Sequence, residues 1–344
     1  MCGVDACGSK GAADMNSGQT MRAVICRNGV PACVRMPVPQ PGPEEVLVAV
    51  AACALNRADL AMATGARHGA IGGDGTVLGM EWSGVIAQVG AAVKDLYVGQ
   101  RVMGSGRGAF ADYTVADRGR VLPLPDGVDD LPQAACLPVG LQTMHDALTG
   151  HGGLRPGGSV LVLGAASGVG LMGMQIAREL GAGLVIGSST DAARRARLAS
   201  FGAQLAVDTS DKDWTGQVLA RTGGRGVDLV VDMLSGPVVN ASMLATAQGG
   251  TIVNVGRLAG KMAAFDFDLH ALRRIRYVGV TFRTRTVEQV REITSRMLAD
   301  LSDALAHGRL HLPIDSVHPL EQAPQALARM RANTHFGKIV LAVR

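Results

Sequence analysis

The chain has 344 residues, too many for one ordinary domain and comfortable for two. Hydrophobic residues make up 47%, so a sizeable core can be buried. A net charge of +4 without a long like-charged run, together with 3% aromatics, gives no support to a nucleic-acid role.

The first 20 residues are small and polar, with neither an apolar stretch nor a basic start. They are read as a disordered leader and not as a secretory signal. The six cysteines, Cys2, Cys7, Cys26, Cys33, Cys53 and Cys136, form no CxxC pair and no zinc-finger spacing. A disulfide framework is not expected in a chain this long, so a reducing cytoplasm fits.

From Met21 to about Pro138 the chain reads as many short strands. Met21–Cys26, Glu45–Ala52, Gly84–Val89 and Arg101–Met103 are apolar runs bounded by turn residues such as Pro37, Pro39, Pro41, Gly42, Pro43, Gly90 and Gly99. Few helices lie between them, which predicts an antiparallel, barrel-like domain.

Near residue 140 the pattern changes to alternating strands and helices. Strands are predicted at Ser159–Leu163, Leu184–Gly187, Leu205–Val207, Val227–Met233, Gly250–Val255 and Tyr277–Thr281. Helices are predicted at Val169–Leu180, Asp191–Phe201, Trp214–Thr222 and Val238–Ala247. Repeated strand–helix units mean a parallel, doubly wound sheet. Val160–Ala177 is nearly free of charge, but Gly164, Gly168, Gly170 and Gly173 favour a strand and a buried helix over a membrane span. A long helix follows from Val287 to about His307, then a helix at Pro319–Met330 and a final strand at Gly337–Val343. That last strand is expected to return to the first domain. The expected division is therefore 1–20 as leader, 21–139 with 287–344 as the first domain, and 140–286 as the second.

The clearest motif is the run Val160-Leu-Val-Leu-Gly164-Ala-Ala-Ser167-Gly168-Val169-Gly170, followed by an apolar helix. Glycines let the backbone approach a pyrophosphate, and the free amides of the helix start then bind it. An NAD site places an acid at the end of the second strand to hold the ribose 2′-OH. Here that strand ends Gly187-Ser188-Ser189-Thr190, and Asp191 comes late. Hydroxyls and Arg194 in the first helical turn suit the 2′-phosphate of NADPH. Arg195 and Arg197 are expected on the solvent face of the helix.

At these residues the chain resembles the medium-chain dehydrogenase/reductase superfamily. Within it, the chain is most similar to the zinc-independent quinone oxidoreductases, especially the p53-inducible branch. The likeness covers Met21 to Arg344. It rests on Ala54-Leu-Asn56-Arg57-Ala-Asp59-Leu, Leu78-Gly79-Met80-Glu81-Trp-Ser-Gly84, the glycine turn, Gly279-Val-Thr-Phe282-Arg283-Thr-Arg285, and Phe336-Gly337-Lys338-Ile-Val-Leu. It implies an α/β protein: a GroES-like antiparallel β-barrel domain beside a Rossmann domain, NADPH and substrate between them, and a homodimer joined through the Rossmann domains.

Zinc-dependent relatives place Cys, His and Cys where this chain has Asn56, Met80 and a residue near Val139; only Glu81 remains of that pattern. Between Gly90 and Cys136 there is no cysteine for a second, structural zinc. No metal is expected. Without a Lewis acid, hydride addition to a quinone or another electron-poor C=C bond is easier to support than alcohol oxidation.

The resemblance places Asn56 and Thr143 beside the nicotinamide as the catalytic candidates. Turn- or helix-capping remains open for each. Ser167, Gly168, Val169, Gly170, Ser188, Ser189, Arg194, Asn254, Gly256, Phe282 and Lys338 are the candidate cofactor-binding residues. Asp59 reads as a helix-start or ion-pair residue, His145 as packed, Tyr113 as structural and Cys53 as a buried structural thiol. Arg283 and Arg285 face the cleft or a surface or dimer contact. The glycine-rich stretch Thr64–Thr76 is expected to form part of a lid.

The expected activity is NADPH-dependent reduction of a small-molecule quinone or enone, with no nucleic-acid or membrane partner. A trans-acting enoyl-thioester reductase of lipid or secondary metabolism is one alternative. A non-catalytic NADPH-binding sensor or scaffold is another.

Overall fold

The structure, a computed structural model, describes residues 18–125 and 130–344. Most of the expected leader lies outside the described residues; its last residue, Thr20, opens a strand. In chain order the first unit holds β1 (Thr20–Arg27), β2 (Val30–Pro37), β3 (Glu45–Ala54), α1 (Arg57–Met62), β4 (Arg67–His68), β5 (Ile71–Gly72), β6 (Glu81–Val89), β7 (Arg101–Ser105), β8 (Tyr113–Asp117) and β9 (Val121–Pro123). The connecting helices α2 (Leu131–Ala135) and α3 (Pro138–His145) follow. Next come β10 (Ser159–Leu163), α4 (Gly168–Glu179), β11 (Leu184–Ser188), α5 (Ala192–Ala196), β12 (Leu205–Val207), α6 (Trp214–Arg221) and β13 (Val227–Asp232). The unit closes with α7 (Val239–Ala245), β14 (Thr246–Asn254), α8 (Phe267–Arg273) and β15 (Arg276–Gly279). The last elements are α9 (Val287–Ala306), β16 (Ile314–Pro319), α10 (Ala323–Ala332) and β17 (Lys338–Ala342).

Strands β10 to β15 make a parallel sheet in the order β12-β11-β10-β13-β14-β15, the order of a Rossmann fold. The central strand β10, Ser-Val-Leu-Val-Leu, is buried at every position. Helices on both faces of a parallel sheet demand such a continuous apolar run. The other sheet runs β16-β17-β3-β6-β7-β9, with β8 also on β3, and is antiparallel except for its β16–β17 pair. The last strand therefore lies against β3, more than 280 residues earlier in the chain, with Leu341 opposite Cys53.

Between β1 and β2, Asn28 and Gly29 both take positive φ (51° and 74°), the geometry of a two-residue hairpin turn. One apolar cluster joins the two units: Ala54 and Met103 from the first sheet pack with Leu141 and Met144 of α3 and with Val160 and Met172 of the Rossmann unit. Gly140 on α3 and Gly173 on α4 let these helices close, since a Cβ on Gly173 would stand 2.1 Å from the Met144 methyl.

Several predicted boundaries shift. The helix expected at Asp191–Phe201 stops at Ala196 and resumes as a 3₁₀ turn, Leu198–Phe201. β14 begins at Thr246, inside the helix expected to run to Ala247, and its register on β13 slips between Val227 and Leu229. Residues 319–322 are not α-helical: Pro319 ends β16, and α10 starts only at Ala323. A π-helical turn, Asp146–His151, extends α3 and had no signal in the pattern. Among the described residues, no helix is long and apolar enough to cross a membrane. Cys26, Cys33, Cys53 and Cys136 are free thiols.

Candidate active site

The glycine turn is built as its sequence requires. Gly164, straight after β10, takes φ 76°, which a residue with a Cβ rarely adopts. Ser167 then caps α4: its Oγ accepts from the Gly170 amide at 3.1 Å and donates to the Gly164 carbonyl at 2.9 Å. A Cβ on Gly170 would stand 2.7 Å from Ala165 Cα and from the Gly164 carbonyl oxygen, so helix and turn meet only because the side chain is absent. Val169 is half-buried in the first turn of α4. This cradle and the helix start fit a dinucleotide pyrophosphate.

Ser188 is fully buried and its Oγ accepts from the Gly164 amide at 3.0 Å. Through this contact it braces the turn. Ser189 is half-buried, with its hydroxyl within 3.3 Å of the Asp191 amide. Asp191 caps α5 by accepting from the Arg194 amide at 2.8 Å. The Arg194 guanidinium reaches the Asn333 carbonyl at the end of α10. Arg57, on the first unit, donates to the Asn333 side chain at 2.8 Å. Of the two arginines expected on the solvent face, Arg197 is exposed and Arg195 is half-buried. Arg195 pairs with Asp208 at 2.9 Å and donates to the Ser189 carbonyl at 2.8 Å. Arg197 lies 3.8 Å above the Phe336 ring centre.

The second part of the site is a buried polar cluster. Asn56 caps α1 at the end of β3 and stays buried, as do Asp59 and Glu81. Asn56 Nδ2 donates to Glu81 Oε1 at 2.8 Å, and the Val139 amide donates to Glu81 Oε2 at 2.9 Å. Lys338, the first residue of β17, donates from Nζ to Asn56 Oδ1 at 3.1 Å and pairs with Glu81 Oε1. Its stem lies across the glycine turn: a Cβ on Gly168 would stand 2.8 Å from Lys338 Cδ. The preceding Gly337 forms a parallel bridge with Ser167. Lys338 therefore connects the glycine turn with Asn56 and Glu81.

Burial pushes the Glu81 carboxyl up, and the Lys338 ammonium beside it pulls it part of the way back. Asp59 is pushed up to about 7 by burial, although it accepts from the Asn56 amide at 2.6 Å. Asp59 is thus both a helix-start acceptor and a deeply buried acid. An amide has two N–H groups and an ammonium three. Asn56 Nδ2 places one on Glu81 and Lys338 places two on Asn56 and Glu81, so each has one N–H beyond these contacts.

Asn56 and Glu81 already hold an ammonium, and among the described residues no three His, Cys, Asp or Glu side chains stand close enough to share a metal.

Thr143 is half-buried on α3, the helix whose Val139 amide holds Glu81. Its neighbour Gln142 accepts from Ser105 at 2.6 Å and donates to Thr294 at 2.9 Å, tying α3 to β7 and α9. His145 is packed and meets Asp300 at 2.7 Å. At the end of β14 the Asn254 amide is turned to the Ser235 hydroxyl. Gly256 is needed for close packing, because a Cβ there would stand 2.6 Å from the Met233 carbonyl oxygen. Phe282 is half-buried in the segment after β15, and Cys53 and Tyr113 are barrel residues. The cluster thus joins Asn56 with Lys338 and Gly168, while Ser189 and Arg194 lie further along the sheet edge. Sequence reasoning missed the Lys338–Glu81 pair and Arg57. A carboxylate inside the apolar run Leu78–Trp82 was the available signal for the pair.

A Rossmann sheet with a glycine turn, set beside a buried polar cluster of a second unit, defines a two-domain dinucleotide-dependent oxidoreductase. Residues 168–299 match the zinc-binding dehydrogenase family, and residues 42–126 match the alcohol dehydrogenase GroES-like domain. The chain belongs to the medium-chain dehydrogenase/reductase superfamily. It is 30% identical over 308 residues to a mycocerosic acid synthase-like polyketide synthase of Mycolicibacterium smegmatis, covering 88% of this chain and only 14% of that relative. The structure aligns with CurK enoyl reductase at a TM-score of 0.82 and 25% identity, over 95% of this chain and 100% of that one. A mycobacterial quinone oxidoreductase, and a mycobacterial protein solved with NADPH, each align at a TM-score of 0.81 and 27% identity, over 94% of this chain and 100% of theirs.

Proposed function

We propose that this protein reduces an electron-poor C=C bond conjugated to a carbonyl, using NADPH and no zinc. The observation that carries the reading is the Lys338 ammonium, held by Asn56 and Glu81 and laid over the glycine turn at Gly168. When bound, NADPH supplies the hydride. The spare N–H groups of Asn56 and Lys338 offer donors to a developing enolate oxygen. Burial of the cluster strengthens these donors by excluding water.

An enoyl thioester is the acceptor favoured by the likeness to polyketide synthases and to CurK enoyl reductase. A quinone is the second reading, supported by the likeness to a quinone oxidoreductase. NADPH oxidation with crotonyl-CoA and with 1,4-benzoquinone tests both. Turnover of crotonyl-CoA is expected. Turnover of the quinone alone selects the second reading, and tight NADPH binding without any turnover leaves a sensor or scaffold.

Preference for NADPH over NADH rests on Ser189 and Arg194, with Asp191 occupied as a cap. Arg194→Ala is expected to raise KM for NADPH by ~10-fold and to leave that for NADH nearly unchanged. Equal changes in both would remove Arg194 from the site. A homodimer is the proposed assembly. The apolar side chains of Met262, Phe267 and Leu272, exposed near edge strand β15, support it.

A further inference from the structure

Where the β4–β5 hairpin meets the carboxyl end of the Rossmann sheet stand cations that the hydride chemistry does not use. The short hairpin β4–β5 belongs to the first unit, and its turn crosses to the Rossmann unit. Gly69, at φ 67°, packs so closely that a Cβ would stand 2.5 Å from the Arg283 carbonyl oxygen and 2.9 Å from Arg283 Cα. Arg283 lies in the segment after β15, at the carboxyl end of the sheet, where Rossmann folds bind their ligands.

That segment is anchored. Arg285 donates to Asp146 at 3.1 Å and meets His151 at 2.8 Å, so its charge is already met by a carboxylate. Arg283 differs. Its guanidinium is exposed and donates from Nε to the Thr281 hydroxyl at 3.1 Å, and among the described residues it has no carboxylate partner. Across the contact stands His68, half-buried and likewise with no carboxylate partner among the described residues. Burial and the charge of Arg283 both push the His68 imidazole below its ordinary value. Two cationic or proton-donating side chains, one from each unit, thus share one rim, and among the described residues neither has a carboxylate partner. A quinone or simple enone presents nothing for such a rim to bind. A phosphate does.

We propose that Arg283 and His68 bind the 4′-phosphate of a pantetheine arm, so that the substrate is an enoyl thioester carried on a phosphopantetheine group. The inference rests on the thioester reading of the active site and adds the phosphate as a recognition element. It assigns the hairpin a role in specificity: His68 reaches the arm from one unit and Arg283 from the other.

The test uses the full chain with NADPH and three crotonyl thioesters: crotonyl-pantetheine, crotonyl-4′-phosphopantetheine and crotonyl-CoA. The phosphorylated arm should raise kcat/KM by ~10-fold over crotonyl-pantetheine, the scale of a charge-assisted contact. Arg283→Ala and His68→Ala should each bring that ratio toward one. A ratio near one in the unsubstituted protein overturns the inference while leaving the thioester reading intact. A gain seen with crotonyl-CoA alone also overturns it, because the nucleotide phosphates and not the 4′-phosphate would then be read. A ratio that survives both substitutions moves the phosphate elsewhere on the surface. Turnover of none of the three thioesters overturns the thioester reading itself.

Discussion

Lys338→Met is expected to destabilise the protein by about 3–5 kcal/mol, the usual result of removing one member of a buried ion pair. Glu81 is fully buried and relies on the Lys338 ammonium, the Asn56 amide and the Val139 N–H. Without the ammonium, only the Asn56 and Val139 N–H groups oppose the burial of the carboxyl, which must either take up a proton or remain a poorly compensated charge. The Asn56 side chain also loses the donor to its Oδ1. The double variant Glu81→Gln/Lys338→Met should recover most of the loss, because no buried charge remains. Urea unfolding of the unsubstituted protein and the two variants measures this through the transition midpoints. If the double variant were no more stable than Lys338→Met, the cost would lie in lost packing over Gly168 and the ion-pair account would be wrong. The same substitution should also weaken dinucleotide binding, since the Lys338 stem covers the glycine turn.

Asp59 sets the second large effect, on the pH dependence of stability. Its carboxyl titrates near 7 in the folded protein, against an ordinary 3.8. Between these values the folded chain holds a proton that the unfolded chain has released. Stability from this group is therefore greatest below about pH 4 and falls as pH rises, reaching its full penalty above about pH 7. A difference of this size corresponds to about 4 kcal/mol. Asp59→Asn keeps an oxygen to accept from the Asn56 amide and carries no titrating proton. The variant should lack this fall and be more stable than the unsubstituted protein at pH 8. Unfolding midpoints of both proteins at pH 5, 6, 7 and 8 provide the check, and parallel curves would refute the assignment. Groups away from the Asp59, Glu81 and Lys338 cluster contribute equally to both proteins, so the difference between the curves reports on Asp59 and its coupled neighbours.

Several parts of this architecture were legible along the chain. Val160-Leu-Val-Leu followed by Gly164 and Gly170 marks a buried strand entering a glycine turn, because each requirement is local: apolar side chains on both faces, a positive φ, and no Cβ at the close approach. The pair Asn28-Gly29 was an equally local signal for the β1–β2 hairpin, and its strand β2 went unread. Pro319 and the start of α10 were misjudged because a proline fits both the end of an edge strand and the approach to a helix. The split of the helix after Asp191 had no signal in the pattern; beside it Arg195 pairs with Asp208 and Arg197 lies over Phe336, partners that helix periodicity does not register.

The sequence by itself determined the alternating strands and helices, the glycine turn, and the absence of Cys and His at positions 56, 80 and 139. These features depend on residue types at short spacing, which local propensity and sterics govern. Only the tertiary structure decided that Lys338 meets Asn56 and Glu81, that Ser188 braces Gly164, and that Gly69 lies against Arg283. Lys338 is 282 residues from Asn56 and 257 from Glu81 along the chain. Such pairs form because β17 returns to β3 and because burial makes any unpaired charge costly, so the fold selects each partner from the whole chain and not from its neighbours.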